Sequence, residues 1–96
     1  MDMRFEWDEN KNEINKIKHG VSFQDAETVF DDGNALFLYD EQHSATEERF
    51  VIIGLDTYFR ELKVCHCYRG KDSDIIRIIS ARKAKKSEID LYWRSR

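Results

Sequence analysis

The sequence predicts one α+β domain, with two N-terminal helices, a four-stranded antiparallel sheet and a C-terminal helix. The apolar spacing changes twice along the chain. It is helical to about residue 30, alternates with period two between residues 35 and 80, and turns helical again from about Ala84. The strand-like segments follow one another through short connections, which favours a meander. Ninety-six residues, 41% hydrophobic and 12% aromatic, suffice for a single small core over residues 1–96.

Each element has its own signal. Residues 3–7 alternate weakly and could form a short strand. Asp8 can cap a first helix running to about Lys18, with Ile14 and Ile17 expected to face inward at i, i+3. Gly20 is a stop signal, and Lys16, Lys18 and His19 suit the negative end of the helix dipole. Ser22 begins a second helix as N-cap, with Asp25 three residues on and Val21 and Ala26 at the staple positions. Phe23, Ala26, Val29 and Phe30 line its apolar face, and Asp31-Asp32-Gly33-Asn34 ends it. Residues 35–39 and 50–55 read as apolar strands separated by a polar loop. Residues 60–69 alternate, with Leu62, Val64, His66 and Tyr68 on one face and Lys63, Cys65, Cys67 and Arg69 on the other. Gly70-Lys71-Asp72-Ser73 marks a hairpin turn before an isoleucine-rich strand at 74–80.

Composition and charge exclude several classes. The apolar and aromatic content excludes intrinsic disorder. Apolar runs such as residues 50–55 are far short of the roughly 18 residues that cross a bilayer, so no membrane role is expected. Phe5 and Trp7 stand among acids, unlike a secretory signal, and a cytoplasmic location is expected. No proline suggests a rigid linker. The net charge of −3 hides an asymmetry: residues 1–59 carry 5 Lys+Arg against 14 Asp+Glu, and residues 60–96 carry 11 against 5. A basic second half points to a polyanion partner.

The sequence Phe5-Glu6-Trp7-Asp8-Glu9-Asn10-Lys11 is followed by Lys18-His19-Gly20-Val21-Ser22-Phe23. Tyr68-Arg69-Gly70, Ile78-Ile79-Ser80-Ala81-Arg82-Lys83-Ala84, Lys86-Ser87-Glu88 and Tyr92 come later. In that order and spacing the chain resembles the BrnT family of bacterial type II toxins over nearly its whole length. The resemblance implies a RelE-like fold and a ribonuclease that stalls translation. It also implies neutralisation by a cognate BrnA-like antitoxin. A dimeric antitoxin would bridge two toxins in a heterotetramer, and only through the antitoxin would the complex reach operator DNA.

Metal-free RNA cleavage needs deprotonation of the 2'-hydroxyl, stabilisation of negative charge on the phosphate, and protonation of the departing 5' oxygen. Arginine suits the second task, because its fork donates two parallel hydrogen bonds to a phosphate. Arg69, Arg77 and Arg82 are the candidates, with Arg82 and Arg69 favoured by the resemblance; the nuclease reading expects Arg69 and Arg82 to share one cleft. Strand-end arginines are otherwise ordinary solvated residues. Glu88, Tyr92 and Arg96 form one helical stripe. Glu88 is a general base, an orienter of arginine or a surface ion-pair partner. Tyr92 is a proton donor, a phosphate or base contact, or an aromatic anchor beside Leu91. Lys63, Lys83, Lys85 and Lys86 are candidate phosphate contacts or simply a solvated face. Trp93 is expected in the core. His66 shares an apolar face and is expected to be hydrogen-bonded and half-buried, with a general-base role as the alternative. Cys65-His66-Cys67 on a strand points its thiols one way and its imidazole the other, so no metal site and no cofactor is expected, and the thiols should be free. Two other readings stay open: a non-catalytic nucleic-acid-binding or protein-interaction module, and a degenerate toxin that still binds antitoxin.

Overall fold

The computed structural model describes residues 3–95. In chain order it contains β1 (Arg4–Glu6), α1 (Glu9–His19), α2 (Phe23–Glu27), β2 (Leu36–Tyr39), β3 (Phe50–Leu55), β4 (Glu61–Arg69), β5 (Ile75–Lys83) and α3 (Lys86–Arg94). Short 3₁₀ turns occupy Thr28–Asp31 and Glu41–His43. The α+β class holds, with two differences. The sheet has five strands in the order β1-β5-β4-β3-β2 and is mixed: β1 runs parallel to β5, while the four expected strands pair antiparallel. A parallel neighbour needs a long crossover, and nearly the whole chain lies between these two strands. The second N-terminal helix is also short, five residues running into a 3₁₀ turn.

Val21, Phe23, Ala26 and Val29 pack against Ile52, Leu62, Val64, Ile78 and Ala81 to form the core. Ser22 starts α2 as its sequence predicts, its Oγ accepting from the Asp25 amide at 3.0 Å. Asp8 caps α1 through the Lys11 amide, and Gly20 ends it at φ 69°, a conformation open to glycine at little cost.

The inward face of α1 corrects the sequence expectation. Ile17 is 88% exposed and Ile14 60%, whereas Asn12 and Asn15 are buried. The reason is backbone satisfaction. β1 covers β5 only at Ile75–Arg77, which leaves the edge of β5 open beyond it. Asn15 takes the place of the missing strand: its Nδ2 donates to the carbonyls of Ala81 (2.7 Å) and Val21 (2.8 Å), and its Oδ1 accepts from the Ala81 amide. Asn12 Oδ1 accepts from the Phe23 amide at 2.8 Å and so ties α1 to the start of α2. Buried backbone groups need such partners more than isoleucines need burial.

β5 extends to Lys83, three residues past its expected end, so Arg82 lies within the strand and α3 begins at Lys86. The strand also carries a bulge. Cys65 pairs with Ser80, but His66 pairs with Ile78, leaving Ile79 as an extra residue. Ile76 and Ile78 therefore face the core, and beyond the bulge so does Ala81, while Arg82 faces the opposite side beside Lys63.

α3 meets that opposite side. Its Glu88 contacts both Lys63 and Arg82, and its Trp93 indole donates to Glu61 at 2.8 Å. Trp93 is 45% exposed, not in the core as expected; a polar partner at the sheet's rim holds it there. Tyr92 is fully buried and donates its hydroxyl to Asp32 at 2.6 Å. Asp32 also accepts from the Leu55 amide, where β2 has not yet begun to pair with β3. Gly54 permits this approach, since a Cβ there would lie 2.9 Å from Asp32 Oδ2. His66 is completely buried among Phe30, Phe37, Phe50 and Tyr68, more deeply than expected. Among the described residues no helix is long and apolar enough to cross a membrane.

Candidate functional site

The side of the sheet away from α1 and α2 holds a cleft of about 570 Å³. Its floor is built by outward positions of three strands: Val51 of β3, Lys63 and Cys65 of β4, and Ser80 and Arg82 of β5. The end of α1 contributes Lys18 and His19. The loop before β3 contributes His43 and Arg49, and the approach to α3 contributes Lys85. Five cations and two imidazoles thus converge on one concave surface. Asp40 is the one carboxylate among the described lining residues, and it is turned to His43 Nδ1 at 2.9 Å.

Arg82 is held as a planar fork. Its Nη1 and Nη2 donate to Glu88 Oε1 and Oε2 at 2.9 and 3.0 Å, and Nη1 also reaches the Lys83 carbonyl. Lys63 Nζ stands 3.4 Å from Glu88 Oε2. Glu88 Oε1 also accepts from the Lys85 amide at 2.8 Å, closing the first turn of α3. Burial works to raise the Glu88 pKa. The Arg82 bonds, the Lys85 amide and the charges of Arg82 and Lys63 overcome it and bring it down to about 2. Such a carboxylate stays ionised at neutral pH and is too weak a base to take a proton there; it orients the two cations. Arg49 differs, since its Nε is buried with no hydrogen-bond partner. Burial pushes the Cys65 thiol up, although Arg49 and Lys63 oppose this, so the cleft wall carries a thiol and not a thiolate.

The remaining sequence candidates lie elsewhere. Arg69 and Arg82 share a face of the sheet but no cleft. Lys63 pairs with Arg82, and Arg69 pairs with Ile75 six positions along β4, roughly 20 Å away at 3.3 Å per residue. Arg69 Nη2 donates to Glu47 at 3.1 Å. Arg77 is paired with Glu6 across β1 and β5 at 2.9 Å. The shared cleft expected of Arg69 and Arg82 is therefore not formed: the pairing register sets them far apart along the sheet. Tyr92 lies in the core against Asp32, which is the anchor alternative. Lys83 pairs with Leu62, on the other phase of the strand from Arg82. Lys86 is 89% exposed and contacts Asp90. Only Lys63 and Lys85 of the four candidate lysines line the cleft. Arg96 lies outside the described residues.

Arg49 was legible in principle. Extending the alternation of Val51 and Ile53 back by one step puts it on the same face, but the expected strand began at residue 50. Lys18, His19 and His43 carry no such signal; only the packing of α1 against β5 and the fold of the 40–49 loop bring them in. His66 presents Nδ1 to the Val64 carbonyl at 3.2 Å, while burial lowers its pKa and Nε2 has no partner. It is sealed away from the cleft and cannot act as a base in it.

A family model described as the ribonuclease toxin BrnT of type II toxin-antitoxin systems matches residues 7–88. The chain is also similar in structure to the Brucella abortus ribonuclease toxin BrnT, solved as a crystal structure at 1.1 Å. The TM-score is 0.67 and the sequence identity 28%, over 88% of this chain and 99% of that one. A search of curated proteins found no match. The matched span takes in every strand from β2 to β5 and the Lys63–Arg82–Glu88 constellation, and the chain belongs to the BrnT family of ribonuclease toxins of type II toxin-antitoxin systems.

Proposed function

We propose that this chain is an RNA endonuclease that acts without a metal ion, through the substrate's own 2'-hydroxyl. The 2'-hydroxyl proton passes to a base, its oxygen bonds to the adjacent phosphorus, and the bond from phosphorus to the 5' oxygen breaks as that oxygen is protonated. The products are a 2',3'-cyclic phosphate and a 5'-hydroxyl. Arg82 and Lys63 face the charge that grows on the phosphate oxygens, Arg49 and Lys85 hold neighbouring phosphates, and Glu88 positions Arg82. His19 and His43 bring into the cleft the imidazoles that would pass protons to and from the substrate. Preorganised donors of this kind contribute roughly 3–4 kcal/mol each to lowering a barrier.

The observation that carries the reading is the convergence of Lys18, Arg49, Lys63, Arg82 and Lys85 on one cleft in a chain of net charge −3. The donor set argues for metal-free chemistry, because it is cationic and its two nearby carboxylates are already bound, Asp40 to His43 and Glu88 to Arg82. In the cell the chain would act in the cytoplasm. A BrnA-like antitoxin would hold it in check, in a heterotetramer bridged by an antitoxin dimer that alone contacts operator DNA.

The test is cleavage of RNA by the purified chain in excess EDTA, with the new ends mapped. Cyclic phosphate ends, and loss of cleavage and of growth arrest in Arg82→Ala, are the expected results. Cleavage abolished by EDTA overturns metal independence. RNA that is bound but left intact by the parent chain overturns the nuclease reading in favour of a binding module.

A further inference from the structure

On the sheet face that carries α1 and α2, the helical layer covers only one end. Phe30 is its last side chain, and beyond it lie two adjoining hollows of about 520 and 560 Å³ that share Met3 and Tyr68. Their apolar floor crosses all five strands: Phe5 of β1, Ile76 of β5, Tyr68 of β4, Phe50 of β3 and Phe37 of β2. Phe37 is 57% exposed. The rim is acidic, with Asp31 on one side and Glu47 and Glu48 on the other.

We propose that this groove is a docking site for a basic amphipathic helix of a partner protein. The direction of the groove selects a helix: a segment lying across five strands cannot pair along a strand edge, but it can pack on the sheet as α1 and α2 do. Four inter-strand spacings of about 4.8 Å span roughly 19 Å, the length of a helix of about 13 residues. The rim selects the charge: Glu47 is held by Arg69, but Asp31 and Glu48 leave net negative charge that repels RNA and anionic lipid and favours Lys or Arg flanking the apolar stripe. Phe37 is exposed, and Phe5, Phe50 and Tyr68 are half-buried, so the floor presents aromatic rings to an occupant. The groove and the basic cleft lie on opposite faces of the sheet, so an occupant leaves the cleft open. The proposal goes beyond the nuclease reading and does not depend on it.

The experiment uses the whole chain and a labelled synthetic peptide of about 16 residues, with leucines at i, i+4, i+7 and i+11 and lysines flanking them. The controls are a peptide of the same composition with the leucines scrambled, and one with glutamate for every lysine. Fluorescence anisotropy gives affinities, and amide NMR shifts locate the site. Binding of the basic amphipathic peptide, at least tenfold tighter than either control, with shifts at Phe37, Phe50 and Tyr68, is expected. The surface variant Asp31→Lys/Glu48→Lys should bind at least tenfold more weakly while cutting RNA as the parent does. Equal binding of the scrambled peptide, shifts confined to the basic cleft, or unchanged binding by the double variant each overturn the proposal. RNA cleavage, measured on the same samples, reports separately on the nuclease reading.

Discussion

Glu88→Gln is the most informative single substitution in the cleft. The side chain keeps its shape and an acceptor for the Lys85 amide but loses the charge that holds Arg82 and Lys63. The carboxyl is displaced from 4.5 to about 2, and at about 1.4 kcal/mol per unit this sets a ceiling of about 3 kcal/mol. Arg82 and Lys63 are 27% and 30% exposed, so solvent screening brings the expected loss nearer 1–2 kcal/mol. Because the folded-state pKa is lowered, the contribution is complete above pH 4.5. It declines as the pH falls toward 2 and is gone below that. Urea unfolding of parent and variant between pH 7 and pH 3 should show the gap shrinking by more than half. Adding Arg82→Ala should cost less in the variant than in the parent, because the pair has already been broken. A gap that stays constant from pH 7 to pH 3 would refute the argument, since a charge-independent packing loss would then account for it.

Other consequences are equally direct. Asn15→Ala removes three buried backbone contacts at the open edge of β5 and should destabilise the fold by about 3 kcal/mol; a loss in urea unfolding below about 1 kcal/mol would contradict the edge-strand role. Tyr92→Phe keeps the ring but drops the hydroxyl bond to Asp32, so stability should fall by about 1–2 kcal/mol with RNA cleavage unchanged; cleavage lost at full stability would restore Tyr92 to the chemistry. Arg49→Ala should weaken RNA binding about tenfold and lower the salt dependence of log K by about one unit; an unchanged slope would remove Arg49 from the phosphate contacts. Replacing Ile14 and Ile17 together with lysine should change stability by less than about 0.5 kcal/mol each, whereas a core position would cost several times more.

The parts of the fold that rest on short-range chemistry could be read from the chain. Ser22, Asp8 and Gly20 mark helix ends, and the alternation from Leu62 to Tyr68 fixes which side of β4 faces the core. What escaped depends on contacts between distant segments. The inward turn of Asn12 and Asn15 follows from an unpaired stretch of β5 some 66 residues downstream, which no periodicity along α1 can report. The cleft is similar. Arg82, Lys63 and Lys85 could be picked by residue type, but Lys18, His19 and His43 reach it from α1 and a loop. Arg69 and Arg77 carry the same guanidinium as Arg82 and, like it, are held by a carboxylate, but they lie outside the cleft, and only the pairing register reveals this.

The extra residue at Ile79 makes one strand serve two masters. N-terminal to it, alternate side chains are greasy where they meet the helices; C-terminal to it, the frame is shifted by one, and a cation points outward. Were the strand regular with Ile79 included, Arg82 would turn to the helices' side; excising Ile79 would instead leave a regular ladder with Arg82 still facing outward beside Lys63. A lost codon at this position should therefore spare the cleft's geometry, and RNA cleavage retained by the deletion variant would show it.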